Sequence, residues 1–66
     1  MTVNATHQGI SYVLEEVRGG EWRWSFTPPI GLDRSGRVVG DSAWAEVVAR
    51  RAIDVWHLMN PAARAA

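Results

Sequence analysis

The feature that most constrains the fold is a run at residues 21–28, in which polar residues alternate with three aromatic ones, Trp22, Trp24 and Phe26. A period of two is typical of a strand with one apolar face. Gly19-Gly20 separates this run from residues 10–18, which are also rich in β-branched and aromatic types. A Gly-Gly pair between two such runs predicts a β-hairpin. We expect the three aromatic side chains to face a helix.

A loop and a third strand follow the hairpin. Pro28-Pro29 removes two backbone donors and ends the second run. Residues 31–36 have the composition of an exposed loop, and residues 37–40 predict a short third strand.

One helix completes the predicted fold. Asp41 or Ser42 can cap its N-terminus by accepting a hydrogen bond from an amide of the first turn. Asn60 suits a position at the C-terminal end, and Pro61 cannot continue an ordinary helix. The sequence therefore predicts an α+β fold, a three-stranded antiparallel β-meander packed on one C-terminal α-helix in the order β-β-β-α.

The predicted helix has a broad apolar stripe, which we expect to face the core. At 100° per residue it contains Ala45, Val48, Ala49, Ala52, Val55, Trp56 and Met59. A row of alternating charge on the opposite side is most simply a solvated face, and it consists of Glu46, Arg50, Asp54 and His57. Apolar residues at the margins exceed what one sheet face can cover, and they are Trp44, Val47, Ile53 and Leu58.

The hairpin register decides which strand residues face outward, and two registers are open. A two-residue turn at Gly19-Gly20 puts Val13, Glu15 and Val17 on the core face. The residues that then point outward are Tyr12, Leu14, Glu16 and Arg23. A three-residue loop reverses the first strand, so that Tyr12 and Leu14 are inside while Val13 and Val17 are outside. We favour the first register because Gly-Gly is the stronger turn signal.

Length limits the chain to one domain with a thin core. A chain of 66 residues buries only about 60% of the surface that its unfolded form exposes. Without cysteine, no disulfide can add to that core. We expect residues 1–66 to form a single domain, with a flexible segment at 1–9 and a frayed tail at 61–66. The sequence has no membrane-spanning or signal pattern, so a cytoplasmic location is the default expectation.

Charge and motifs argue against two classes of function. Seven arginines balance seven acidic residues, whereas general capture of nucleic acid requires an excess of cations. The histidines are His7 and His57, and neither has a convincing set of further metal ligands. Asp54 and His57 are most simply a charged surface pair. With no nucleophile elbow and no phosphate loop, we expect a non-enzymatic chain without catalytic residues, metal or cofactor.

Three stretches of the chain form a recognisable pattern, namely Glu21–Gly31 (EWRWSFTPPIG), Gly40-Asp41-Ser42 and Ala52–Trp56 (AIDVW). This pattern resembles the HicB-type antitoxin domain. HicB-type domains have an aromatic residue before Phe-Pro-x-x-Pro-Gly, then Gly-Asp-Thr, and then a helix that ends in Ala-Ile-x-x-Trp. The likeness spans residues 10–58, with an insertion at 32–36. Because the DNA-binding C-terminal segment of many such antitoxins has no counterpart here, the resemblance implies a toxin-binding or orphan domain.

The predicted architecture is also similar to the DNA-binding domains of integrases and plant GCC-box factors. Those domains insert an exposed sheet face that bears Arg and Trp into the major groove. The similarity implies DNA contacts from Arg18, Arg23 and Arg37. The same hairpin carries three acidic residues, Glu15, Glu16 and Glu21.

Surplus apolar surface on a thin fold favours a small non-enzymatic binding module. Its expected partner is another protein. That partner is either a second copy in a homodimer or a small protein such as a toxin, which this chain would bind as an antitoxin does. The candidate interaction surface, on the exposed sheet face and the helix margin, consists of Tyr12, Leu14, Glu16, Arg23, Arg37 and Trp44. The alternative is a nucleic-acid-binding domain that uses the Arg-bearing sheet face. No membrane partner is expected.

Overall fold

Residues 1–61 are described by this computed structural model, in which four antiparallel strands precede one helix. The strands follow one another across the sheet in chain order, β1 (Thr2–His7), β2 (Ile10–Arg18), β3 (Glu21–Phe26) and β4 (Arg34–Val39). The helix α1 is Ser42–Met59. The predicted α+β class, with an antiparallel sheet and a C-terminal helix, is confirmed. The tail predicted at 61–66 lies outside the described residues from residue 62 onward.

The prediction of three strands is wrong, because the segment expected to be flexible forms β1. Its residues alternate between exposed and half-buried, and Val3 and Ala5 pack against the core. Gln8 and Gly9 join β1 to β2 with φ values of 50° and 80°. Two successive positive φ values belong to the two-residue turn that best matches the twist of paired strands.

The register that we favoured for the central hairpin is also wrong. Tyr12 pairs with Phe26, and Leu14 pairs with Trp24, so Tyr12 and Leu14 face the helix and are buried. Arg18 still pairs with Glu21 across Gly19-Gly20, but the register shifts between Glu16 and Arg18. This bulge leaves Val17 without a partner and reverses the faces of the rest of β2.

The strand β4 begins earlier than predicted and takes up half of the expected loop. Its Gly36 lies opposite Trp24, and the indole ring covers the glycine. A Cβ atom at Gly36 would lie 2.6 Å from Trp24 Cζ2. The absence of a side chain at this position is therefore what lets Trp24 lie flat against β4.

Both predicted helix ends agree with the structure. The Asp41 side chain caps α1 by accepting a hydrogen bond of 2.9 Å from the Trp44 amide, and Asn60 is the C-cap residue.

The predicted core stripe of the helix is wrong along one of its edges. The buried helix residues are Ala45, Ala49, Ile53, Trp56 and His57, whereas Val55 and Met59 are exposed. The β1–β2 hairpin extends the sheet on the His57 side, so the buried face of the helix is turned toward it.

The core lies between α1 and one face of the sheet. The strands contribute Ile10, Tyr12, Leu14, Trp22 and Phe26, and the helix contributes Ala45, Ala49, Ile53 and Trp56. The two alanines are completely buried and let the helix backbone approach the bulky strand residues.

Replacing Leu14 by Ala tests the register. Leu14 is fully buried, so we expect a loss of about 2–5 kcal/mol in the free energy of unfolding. Val17→Ala is the control, because Val17 is 42% exposed, and we expect a change within about 0.5 kcal/mol. Urea denaturation measures both, and a larger loss for Val17→Ala would contradict the observed register.

Replacing Gly36 by Ala tests the contact with Trp24. Because the added Cβ would overlap the indole ring, we expect a loss of about 1–3 kcal/mol in unfolding free energy. Gly19→Ala is the matched control, since a Cβ at Gly19 meets no atom within 4 Å. Equal stability of the two variants would show that Trp24 does not pack on β4.

Candidate interaction surface

An apolar groove runs between α1 and the β3–β4 side of the sheet. Its volume is about 310 Å³, and its lining consists of Trp24, Phe26, Arg34, Val48, Arg51, Ala52, Val55, Trp56 and Met59. We call this cavity the Trp24 groove. The indole ring of Trp24, which lies over Gly36 of β4, forms part of its lining. The floor is aromatic, and the rings of Trp24 and Phe26 stack there with centroids 6.0 Å apart.

A second apolar stripe of α1 faces solvent next to this groove. Its apolar members are Trp44, Val47, Val55, Leu58 and Met59, with exposed fractions of 51%, 50%, 46%, 73% and 71%. At 100° per residue, these residues lie within about 60° of a line through Trp44. We call them, with the Arg51 that lies among them, the helix stripe. Val55 and Met59 belong to both features, so the groove and the stripe form one continuous surface.

Two arginines are the charged groups of this surface. Arg51 lies at the middle of the helix stripe, and Arg34 lies on the β4 wall of the groove. No Asp or Glu lines the groove, and within residues 1–61 neither arginine is in ion-pair contact with a carboxylate. Other arginines are paired, with N–O distances of 3.3 Å for Arg18–Glu21, 3.1 Å for Arg37–Glu21 and 3.4 Å for Arg50–Glu46.

The opposite margin of α1 is already occupied by contacts within the chain. The Tyr12 hydroxyl donates to Glu46 Oε1 at 3.3 Å and accepts from Arg50 Nε at 3.3 Å. The hydrogen bond to Tyr12, together with the nearby Glu46 carboxylate, raises the pKa of Arg50 above its usual value. Glu46 and Arg50 belong to the charged row that was predicted to be solvated, and their bonds to Tyr12 help to hold the helix on the sheet.

The same margin fixes the β1–β2 turn. Asp54 Oδ1 lies 2.8 Å from His7 Nε2 and also accepts a hydrogen bond from Gln8. His57 is buried, and its Nε2 lies 3.2 Å from the Gln8 carbonyl oxygen. Asp54 therefore pairs with His7 rather than with His57. Among the described residues, no three His, Cys, Asp or Glu side chains are grouped as metal ligands.

The outer face of the sheet carries mostly polar and charged side chains. Glu15, Arg23 and Arg37 lie in one row across β2, β3 and β4, and Glu21 pairs with two flanking arginines. A second cavity, of about 740 Å³, lies where β1, β2 and the end of β3 meet, and its lining among residues 1–61 consists mostly of small residues without histidine or arginine. Each arginine implied as a DNA contact thus has a carboxylate as an ion-pair or cross-strand neighbour.

The structure does not bring the predicted interaction residues together. Tyr12 and Leu14 are removed from the candidate surface by burial, and Glu16 pairs with Trp22 on the helix face. Arg23 and Arg37 lie on the outer face, whereas Trp44 lies on the helix stripe. Sequence reasoning missed Trp24, Arg34, Arg51 and Val55. The spacing of Trp44, Val47, Val55 and Leu58 was the available signal, since it defines a second stripe rather than the edge of the first.

Comparisons with protein-family models, curated proteins and solved structures give no match to this chain. The HicB-type resemblance consequently stays a prediction. Within residues 1–61, no helix is both long enough and apolar enough to cross a membrane.

Acidic substitutions on the helix stripe should leave the fold intact. Val55 and Leu58 are 46% and 73% exposed, so we expect Val55→Glu and Leu58→Glu to change the unfolding free energy by at most about 0.5–1 kcal/mol. Ile53→Glu serves as the contrast, because Ile53 is completely buried and should lose the folded state. Thermal and urea unfolding followed by circular dichroism measure these effects. Unfolding of Val55→Glu would place Val55 in the core instead.

Proposed function

We propose that this chain is a non-enzymatic protein-binding module, and that its partner covers the helix stripe and the Trp24 groove. The observation that carries the proposal is the continuity of these two features. One helix presents a second apolar stripe to solvent, and that stripe opens into a groove floored by aromatic rings. Contiguous apolar surface with a polar rim is characteristic of protein-binding sites.

The residues of this surface suit binding better than they suit core packing. Trp44 is 51% exposed and Trp24 is half-buried, so both present aromatic area to a partner. Tryptophan and arginine are the residue types that most often dominate binding energy. Arg34 and Arg51 supply charge at the edge and in the centre of the surface. Burial of the stripe residues by a partner would remove the apolar area that the sheet leaves uncovered.

The nucleic-acid alternative has less support. The arginines of the outer sheet face are arranged beside Glu15 and Glu21, which offset their charge. Affinity for a phosphate backbone depends on cations that displace counterions, and such neighbours weaken that attraction. The HicB-type resemblance supplies one hypothesis for a protein partner, namely a toxin.

The proposal is tested by capture from an extract of the native host. The immobilised full chain is compared with Val55→Glu and Leu58→Glu, and with Val17→Glu as a control of similar exposure away from the stripe. We expect a protein that is retained by the wild type and the control, and that binds both variants at least about tenfold more weakly once purified. A partner whose affinity is the same for all four chains would overturn the proposed surface.

Sedimentation of the wild-type chain at micromolar concentration tests the homodimer. A dimer that Val55→Glu abolishes would identify the partner as a second copy. A monomer at this concentration would exclude the second copy.

A further inference from the structure

We infer that the Trp24 groove and the helix stripe bind an acidic amphipathic helix of a different protein, whose carboxylates pair with Arg34 and Arg51. This inference rests on the proposed function and specifies the chemistry of the partner. It is carried by the charge of the surface, by the position of Arg51, and by the length and direction of the stripe.

Among residues 1–61, the charged side chains that line the groove are all positive. The titratable side chains that line the groove are Arg34 and Arg51, and both lack a carboxylate partner among residues 1–61. Arg18, Arg37 and Arg50 each contact a glutamate elsewhere. Covering the groove with an uncharged or basic surface would bury two cations without compensation, which is costly. A partner with Asp or Glu beside its apolar anchors would satisfy both, and Arg can bind a carboxylate through two parallel hydrogen bonds.

The position of Arg51 argues against a second copy of this chain. In a two-fold antiparallel helix pair, setting Trp44 of one copy against Leu58 of the other places Arg51 against its own counterpart. The pairing would therefore bring two like charges together at the symmetry axis, where the desolvation is greatest. A different chain with a carboxylate at that point has no such repulsion.

The form of the surface suits a helix. From Trp44 to Leu58 the stripe runs for about 21 Å at 1.5 Å per residue, which matches a partner helix of about four turns. Recognition of this kind places apolar anchors at i, i+3 or i+4 and i+7 of the partner into a groove. The Trp24 groove, at about 310 Å³, has room for such anchor side chains.

The test uses two synthetic peptides of about 15 residues that share one leucine stripe at helical spacing. One carries Glu at the flanking positions and the other carries Lys. Each is titrated into the isotopically labelled full chain, and the amide and indole resonances are followed. We expect the Glu peptide to shift the Trp24 and Trp56 indole signals and to bind at least about tenfold more tightly than the Lys peptide, less so at high salt.

Charge reversal provides the decisive comparison. In the double variant Arg34→Glu/Arg51→Glu we expect the preference to invert in favour of the Lys peptide. The control Arg23→Glu/Arg37→Glu makes the same change in net charge on the outer sheet face, and it should keep the wild-type preference. If a double variant does not fold, the single variants Arg51→Gln and Arg23→Gln are compared instead. We expect Arg51→Gln to weaken the preference for the Glu peptide and Arg23→Gln to leave it unchanged.

Three results of the peptide titrations would overturn the inference. They are equal affinity for both peptides, a preference that Arg34→Glu/Arg51→Glu leaves unchanged, and no shift from either peptide at millimolar concentration. Binding of decanoate at the groove without binding of the Glu peptide would assign the site to a small amphiphile and would also overturn it. The proposed function has its own test, and it is overturned when Val55→Glu captures the partner from the extract as well as the wild type does. If Val55→Glu weakens capture but the two peptides bind equally, the proposed function stands and the acidic helix is excluded as the partner.

Discussion

The packing of Tyr12 and Leu14 beneath α1 is the constraint on which the rest of the structure depends. These two residues pair with Phe26 and Trp24, so their burial determines the register of the central hairpin. With this register, Glu15 and Arg23 lie on the outer face and the three aromatics of β3 point toward the helix. A shift of the strand register by one residue would exchange the buried and exposed faces of β2. The bulge at Val17 therefore allows Tyr12 and Leu14 to face the helix while Arg18 still pairs with Glu21.

The helix is held asymmetrically across this sheet. On one margin, Tyr12, Glu46 and Arg50 form a hydrogen-bonded group, and Asp54 contacts the β1–β2 turn. On the other margin the contacts are apolar and leave a cavity of about 310 Å³, whose lining includes Trp24, Val55 and Met59. The polar margin fixes where the helix lies, and the apolar margin remains open as the Trp24 groove.

The sequence predicted those parts of the fold that depend on local signals. The aromatic alternation of β3, the Asp41 cap and the Asn60 end each follow from the chemistry of a few neighbouring residues. The strand β1 was missed because its inward residues, Val3, Ala5 and His7, include weakly apolar types, and because Gln-Gly is a weaker turn signal than Asn-Gly.

The register and the site were not predictable by the same means. The two-residue turn at Gly19-Gly20 is present, but the unpaired Val17 shifts the register so that Tyr12 and Leu14 face the helix instead of solvent. A β-bulge of this kind has no clear local signature in the sequence. The helix stripe was visible in the spacing of Trp44, Val47, Val55 and Leu58. Its exposure depends on Ile53 rather than Val55 facing the core, which is settled by how the polar margin orients the helix.

A helix with two apolar stripes on a single sheet has one stripe more than the fold can bury. Exposed apolar residues without a binding role usually occur singly on a protein surface, as Val39 does on β4. Here they recur at helical spacing and border a groove lined by Arg34 and Arg51, which form no ion pair with residues 1–61. Apolar area alone would favour association with any apolar surface, whereas Arg34 and Arg51 would favour surfaces of opposite charge. In the proposed interaction, the apolar stripe would therefore supply the buried area and the two arginines would supply the selectivity.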